Sequence, residues 1–174
     1  GGSLVFKVDP SNLYPLFIDI DVSLKKMPAS TVDVVKCYDD LLSMIMGIFS
    51  AKFPQEEFVR IIATRRPQIY PKKDFFRAGF HLYIHGRYTL ETSQKLREYV
   101  LADIHVREHF EEFFGKENMD LEHNSSEDIY DVALSERRNG CLLIGSNKRA
   151  IQSGPHFIFL FGMWRNGRRY LRRH

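Results

Sequence analysis

Apolar residues along this chain keep two spacings, one of two residues and one near 3.6. "LVFKV" (Leu4 to Val8) and "LFIDIDV" (Leu16 to Val22) are rich in β-branched and aromatic residues and predict strands, parted by the turn formers Asp9, Pro10, Ser11 and Asn12. From Thr31 to Phe49 the residues Val34, Val35, Tyr38, Leu41, Leu42, Ile45 and Ile48 keep helical spacing, with Ser30 or Thr31 placed to cap the first turn. That helix is expected to cover one sheet face. "FVRIIATR" and "FHLYIH" predict two further strands, and the stretch from Thr89 to Phe114 predicts one helix, or two broken near Asp103. A polar loop (Asn118 to Asp128) follows, then a short strand around "IYDVAL", the turn signal Asn139-Gly140, and the strands "CLLIG" and "FIFLFGM". No internal repeat interrupts this order. Strands and helices mix without regular βαβ alternation, which favours an α+β fold with a largely antiparallel sheet.

Composition narrows the class. The chain has 174 residues, 44% hydrophobic and 27% charged, enough for one globular domain with a real core. Cys37 and Cys141 are too few for a disulfide framework, and neither a signal peptide nor an apolar run of about 18 residues occurs. An intracellular protein without a membrane partner is the expectation. Residues 1–3, "GGS", read as a cloning scar, residues 4–164 as a single domain, and residues 165–174 as a basic tail or the start of a linker.

The net charge of +3 conceals a separation of charge along the chain. Arg60 to Arg77 holds six basic residues and one acid, whereas Asp103 to Asp131 holds ten acids and two basic residues. The final "RNGRRYLRRH" adds five arginines and a tyrosine, a combination suited to phosphate contact and base stacking, or simply to a solvated end. Arg65, Arg66, Lys72, Lys73, Arg168 and Arg169 are the candidate nucleic-acid contacts.

"LFIDIDV" poses the sharper question, since two aspartates interrupt an apolar strand. Alternation puts Asp19 and Asp21 on one face with Cα atoms roughly 6.5 to 7 Å apart, close enough for both carboxylates to reach one site. Two partly buried carboxylates repel each other and lose hydration unless a cation neutralises them or one stays protonated. A divalent ion is the simplest answer, and hard oxygen ligands suit Mg²⁺ or Mn²⁺. The plainer reading is an edge strand whose solvent face is acidic.

Other residues join this pair in order: "FRAGFHLYIHG" with Gly79-Phe80-His81, then "IYDVALSERRNGCLLIGSNK" with its Gly145-Ser146-Asn147-Lys148 loop. In this ordered set the sequence resembles the archaeo-eukaryotic primase superfamily, most closely the primase domains of large DNA virus and mobile-element primase–helicases. The resemblance implies a modified RRM-like catalytic core and a DNA primase or primase-polymerase, a DNA-directed nucleotidyltransferase. It implies that Asp19, Asp21 and Asp131 are catalytic and hold two Mg²⁺ or Mn²⁺ ions, with Asp128 a rival third acid. It further implies that His81, Ser146, Lys148 and Arg77 bind the incoming nucleotide, that single-stranded DNA and nucleoside triphosphates are the substrates, and that a helicase is fused or associated. Gly-Ser-x-Lys lacks the spacing of a Walker A loop, so no ATPase engine is expected in this chain.

Two other readings compete. His105-Val106-Arg107-Glu108-His109 matches the H-x-x-E-H signature of an inverted zinc metallopeptidase, with Glu117, Asp120, Glu122 or His123 as a further ligand. Ile104, Val106, Phe110, Phe113 and Phe114 explain the same helix as an ordinary amphipathic packing element. A non-catalytic nucleic-acid-binding module would account for the arginines and leave the paired carboxylates without a purpose.

Overall fold

In the strand that carries the two aspartates, every second side chain is hidden from solvent. Leu16, Ile18, Ile20, Val22 and Leu24 are each at most 1% exposed, while Phe17, Asp19 and Asp21 between them are half-buried. Burying a Leu, Ile or Val is worth about 1.5–3 kcal/mol, so this alternation fixes which face of the strand the aspartates occupy. The computed structural model describes residues 5–6, 13–28, 34–56, 58–65, 69–120, 122–132, 141–142, 157–165 and 168–170.

The strand is β2 (Tyr14–Leu24), the edge of an antiparallel sheet completed by β3 (Phe58–Arg65), β4 (Tyr70–Lys72), β5 (Phe75–Tyr88), β7 (Phe157–Arg165) and β8 (Arg168–Tyr170). The order is β2-β5-β3-β7-β8, with β4 pairing beside β5. A separate two-residue ladder joins β1 (Val5–Phe6) to β6 (Cys141–Leu142). With helices added, the chain is α+β with an antiparallel main sheet.

Helix α1 (Val34–Lys52) buries Cys37, Leu41, Ile45 and Phe49 on one row and Tyr38, Leu42 and Met46 on the next, a stripe of i, i+4 spacing wide enough to cover the sheet. Its Tyr38 ring lies 5.2 Å from Phe80 of β5, which places the helix on the face of Leu16, Ile18 and Ile20. Residues 30 and 31, the expected cap, lie outside the described residues. The long stretch after Thr89 forms two helices, α2 (Leu90–Ala102) and α3 (Ile104–Phe114), because Asp103 leaves helical geometry and its carboxylate accepts from the His105 N–H at 2.9 Å. Gly115 ends α3 at φ 82°, where a Cβ would meet the Glu117 carboxylate at 2.5 Å.

The strand expected around "IYDVAL" does not start at Ile129. Ser126–Ile129 is instead one helical turn, α4, whose Asp128 N–H donates to the Ser125 hydroxyl at 3.3 Å, so local capping wins over the β-propensity of Ile and Tyr. Only Tyr130 keeps a strand-like bridge, to Ile20. Residues 133–134 of that expected strand and residues 143–145 of "CLLIG" lie outside the described residues. Strand β5 is longer than "FHLYIH", β4 had no expected counterpart, and β8 lies within the segment set apart as a basic tail. Among the described residues no helix is long and apolar enough to cross a membrane.

Candidate active site

The register of β2 on β5 decides what Asp19 and Asp21 face. Asp19 lies directly across from His81 and Asp21 across from Gly79, on the sheet face away from α1. His81 Nε2 is 3.3 Å from Asp19 Oδ1, with the two side chains 11% and 22% exposed. Two residues further along β5, Arg77 reaches diagonally so that Nη1 donates to Asp21 Oδ2 at 2.8 Å. Gly79 makes this possible: a Cβ there would collide with Asp21 Oδ1 and the Ile20 carbonyl oxygen, so the carboxylate occupies the space of the missing side chain.

Electrostatics at the pair follow from burial. The Asp21 carboxyl is raised above its ordinary 3.8, first by burial and then by the Asp19 charge, against the lowering pull of Arg77 and His81. Burial thus outweighs the help that Arg77 and His81 give the charged form, although 29% of the Asp21 side chain still meets solvent and is reachable from outside. From the core side Tyr38 engages the Gly79 backbone, and burial lifts its phenol well above the usual range.

A segment from the far side of the sequence is strapped along the outer edge of β2. The Asn124 amide, 8% exposed, closes on the Ser23 backbone, accepting from its N–H at 2.7 Å and donating to its carbonyl at 2.7 Å. Asp120 N–H donates to the Ser23 carbonyl at 3.1 Å, and Met119 bridges Leu24. At the other end of the strap the Ile20–Tyr130 bridge sets Asp131 against Asp19, whose carbonyl accepts from the Asp131 N–H at 3.1 Å. Asp128 is spent on capping, its carboxylate bonded to the Ser125 hydroxyl. Asp131 thus meets Asp19 through the backbone, whereas the Asp128 carboxylate is engaged by Ser125.

Not every expected residue is brought here. Arg65 ends β3, half-buried, while Lys72 and Lys73 are exposed at the β4–β5 turn, with Lys73 at φ 55°. Arg168 and Arg169 are placed on β8 by their backbone. Arg66, Ser146 and Lys148 lie outside the described residues. No three His, Cys, Asp or Glu side chains among the described residues converge as a preformed metal cage; Asp21 is turned onto Arg77 and Asp19 onto His81.

The H-x-x-E-H motif does not assemble either. His105 is 76% exposed and its Nδ1 is 3.3 Å from the Glu108 carboxylate, whereas His109 Nε2 turns inward, 3.0 Å from the Cys37 carbonyl and 3.5 Å from its sulfur. Burial pushes the Cys37 thiol up to about 12, so it offers no thiolate. Among the proposed further ligands, Asp120 and His123 pair with each other at 3.2 Å beside Phe75.

Sequence reasoning missed Tyr38 and Asn124, taken as a helix core position and a loop residue. Neither carries a local signal, since their roles depend on segments 41 and 101 residues away.

Among curated proteins none matches the sequence. The family profile described as the C962R protein N-terminal AEP domain matches residues 7–157, a span that holds β2, β5 and the strap together with Asp19, Asp21, His81 and Asp131. The chain belongs to this family of archaeo-eukaryotic primase (AEP) domains.

Proposed function

We propose that this domain is a template-directed nucleotidyltransferase that makes short oligonucleotide primers on single-stranded DNA from nucleoside triphosphates. The observation that carries the reading is the pairing across β2 and β5: two carboxylates on one accessible face, each against a basic side chain, with the Asp131 N–H hydrogen-bonded to the Asp19 carbonyl. Family membership supplies the reaction class.

The donor set fits hard divalent cations. Asp19 and Asp21 present oxygen ligands from one sheet face, burial and the Asp19 charge both disfavour the ionised Asp21, which a bound cation would relieve, and the Asp131 backbone joins Asp19 beside them. These three residues would hold two Mg²⁺ or Mn²⁺ ions. Bound there, the ions would lower the pKa of an attacking 3′-hydroxyl and offset charge on the phosphates.

The chain's own residues do the rest. A triphosphate brings about four negative charges towards two aspartates, so cationic donors are needed around it. His81 and Arg77 stand on the same face and supply them, joined in this reading by Ser146 and Lys148. The β2–β5 ladder holds Asp19 and His81 in register, so a nucleotide seated on His81 lies next to the carboxylates without a search. Arg65, Arg66, Lys72, Lys73, Arg168 and Arg169 would track the template strand through its phosphates. A fused or associated helicase would deliver that strand.

The test is oligonucleotide synthesis by the 174-residue chain on single-stranded DNA with nucleoside triphosphates and Mn²⁺ or Mg²⁺. Synthesis is expected, and so is its loss in Asp19→Asn and Asp21→Asn with the circular dichroism spectrum unchanged. Undiminished synthesis in both variants would overturn the site. DNA binding with no nucleotide incorporation under any metal would favour the binding module.

A further inference from the structure

We infer that Arg77 is a built-in counter-ion, which holds Asp21 until a divalent cation takes its place and then turns to the nucleotide's phosphates, so that metal and nucleotide load cooperatively. This rests on the metal-dependent reading above and adds a role that the family assignment does not provide.

The contact is built for exchange. Arginine and carboxylate can form two parallel hydrogen bonds, yet here one is made, from Nη1 to Oδ2 at 2.8 Å, while Oδ1 fills the space over Gly79. The guanidinium has five N–H donors, and its Nε is buried without an acceptor, so most of its bonding capacity is unspent. Exposure is uneven as well: 11% for the Arg77 side chain against 29% for Asp21, so an incoming cation meets the carboxylate first.

A firm seat supports the guanidinium when Asp21 lets go. Its carbon lies 5.4 Å from the Phe75 ring centroid, Phe75 stacks on the His123 ring at 4.5 Å, and His123 is held by Asp120 at 3.2 Å. Arg77 therefore keeps a base of support that does not depend on the carboxylate. A cation on Asp21 removes the competitor for this guanidinium and frees it for phosphate oxygens. Binding free energies are reciprocal, so nucleotide held by Arg77 must in turn favour the cation on Asp21.

Mn²⁺ binding to the 174-residue chain, measured by the electron paramagnetic resonance of free Mn²⁺ with and without a non-hydrolysable nucleoside triphosphate, tests this. Without nucleotide, Arg77→Gln should bind Mn²⁺ about tenfold tighter than wild type, and the mutual enhancement of Mn²⁺ and nucleotide should vanish. Arg77→Lys keeps the charge and should restore both wild-type values. Arg77→Met, which removes the charge and keeps an unbranched side chain, gives the same reading should Arg77→Gln fail to fold. Equal or weaker Mn²⁺ binding in the folded variants, with Asp19→Asn still abolishing it, overturns the role of Arg77 and leaves the metal site standing. A folded wild type that binds no Mn²⁺ overturns both.

Discussion

Two short motifs in this chain advertise metal chemistry, D-x-D on β2 and H-x-x-E-H on α3, and the fold treats them in opposite ways. On β2 the pleat gives both aspartates the same side, and β5 delivers His81 and Arg77 to that side at 3.3 and 2.8 Å. On α3 the two histidines are one turn apart, yet His105 faces water and His109 is turned in towards α1. A strand in a sheet gains its chemistry from neighbouring strands, whereas a helix face halfway between core and solvent divides its polar groups between the two. The lesson is that equal spacing in sequence carries different weight depending on what stands opposite.

The largest effect should come from breaking the β2 side of this contrast. Asp19→Asn is expected to reduce primer synthesis by about 10³-fold or more, since it removes a charge that no neighbour on the face replaces. Steady-state incorporation of labelled nucleotide measures it. Gly79→Ala should come next: the added Cβ collides with Asp21 Oδ1 and the Ile20 carbonyl, so overpacking costs about 1–3 kcal/mol and the carboxylate is displaced. Urea denaturation and the incorporation rate should both register the change, with the rate falling by about 10²-fold for a shift near 1 Å. A folded, fully active Gly79→Ala would show that Asp21 does not need that space.

How much of this was readable beforehand depends on how far apart the interacting residues lie. Local patterns were legible: the β2 alternation, the α1 stripe, and the helix break at Asp103, where one carboxylate caps the next helix. The facing of Asp19 by His81 is a matter of register between segments 62 residues apart, and only the resemblance anticipated that they share a site. Nothing local announced the diagonal reach of Arg77 to Asp21, because it requires that same register and the absence of a side chain at Gly79. At Ile129 local reasoning failed in the opposite sense, when the Ser125 cap overrode the β-formers that follow.

Asn124 tests the strap along the outer edge of β2. Asn124→Ala leaves the Ser23 N–H without its acceptor at a buried edge, a loss of about 1–3 kcal/mol in urea denaturation. Incorporation should fall only as far as the folded fraction does. A larger drop in rate with stability intact would make the strap part of the site.

Asp21 should reveal its charge through pH. Its carboxyl is raised above 3.8 in the folded chain by burial and by Asp19, so the ionised form is disfavoured by folding. The protonated group contributes stability that is fully present below pH 3.8 and is lost as pH rises through the raised value. In EDTA at pH 7, Asp21→Asn should therefore melt higher than wild type, and the gap should close on acidification. Saturating Mn²⁺ should reverse the order, because only the wild type then gains stability from the bound ion. A lower melting temperature for Asp21→Asn in EDTA would mean that the Arg77 bond outweighs burial.

The smallest effect belongs to the other side of the contrast. His105 is 76% exposed and its ring pairs with Glu108 of the same helix, a surface pair worth under about 1 kcal/mol. His105→Ala should leave stability within about 0.5 kcal/mol and the incorporation rate unchanged. Zinc measured by inductively coupled plasma mass spectrometry should be equally low in both proteins. Stoichiometric zinc in wild type that disappears in His105→Ala would invert the comparison, since the helix would then have to turn His109 away from Cys37 and onto a metal. Such a rearrangement would break the 3.0 Å contact with the Cys37 carbonyl and open the α1–α3 interface, so it should also appear as a loss of stability on zinc removal.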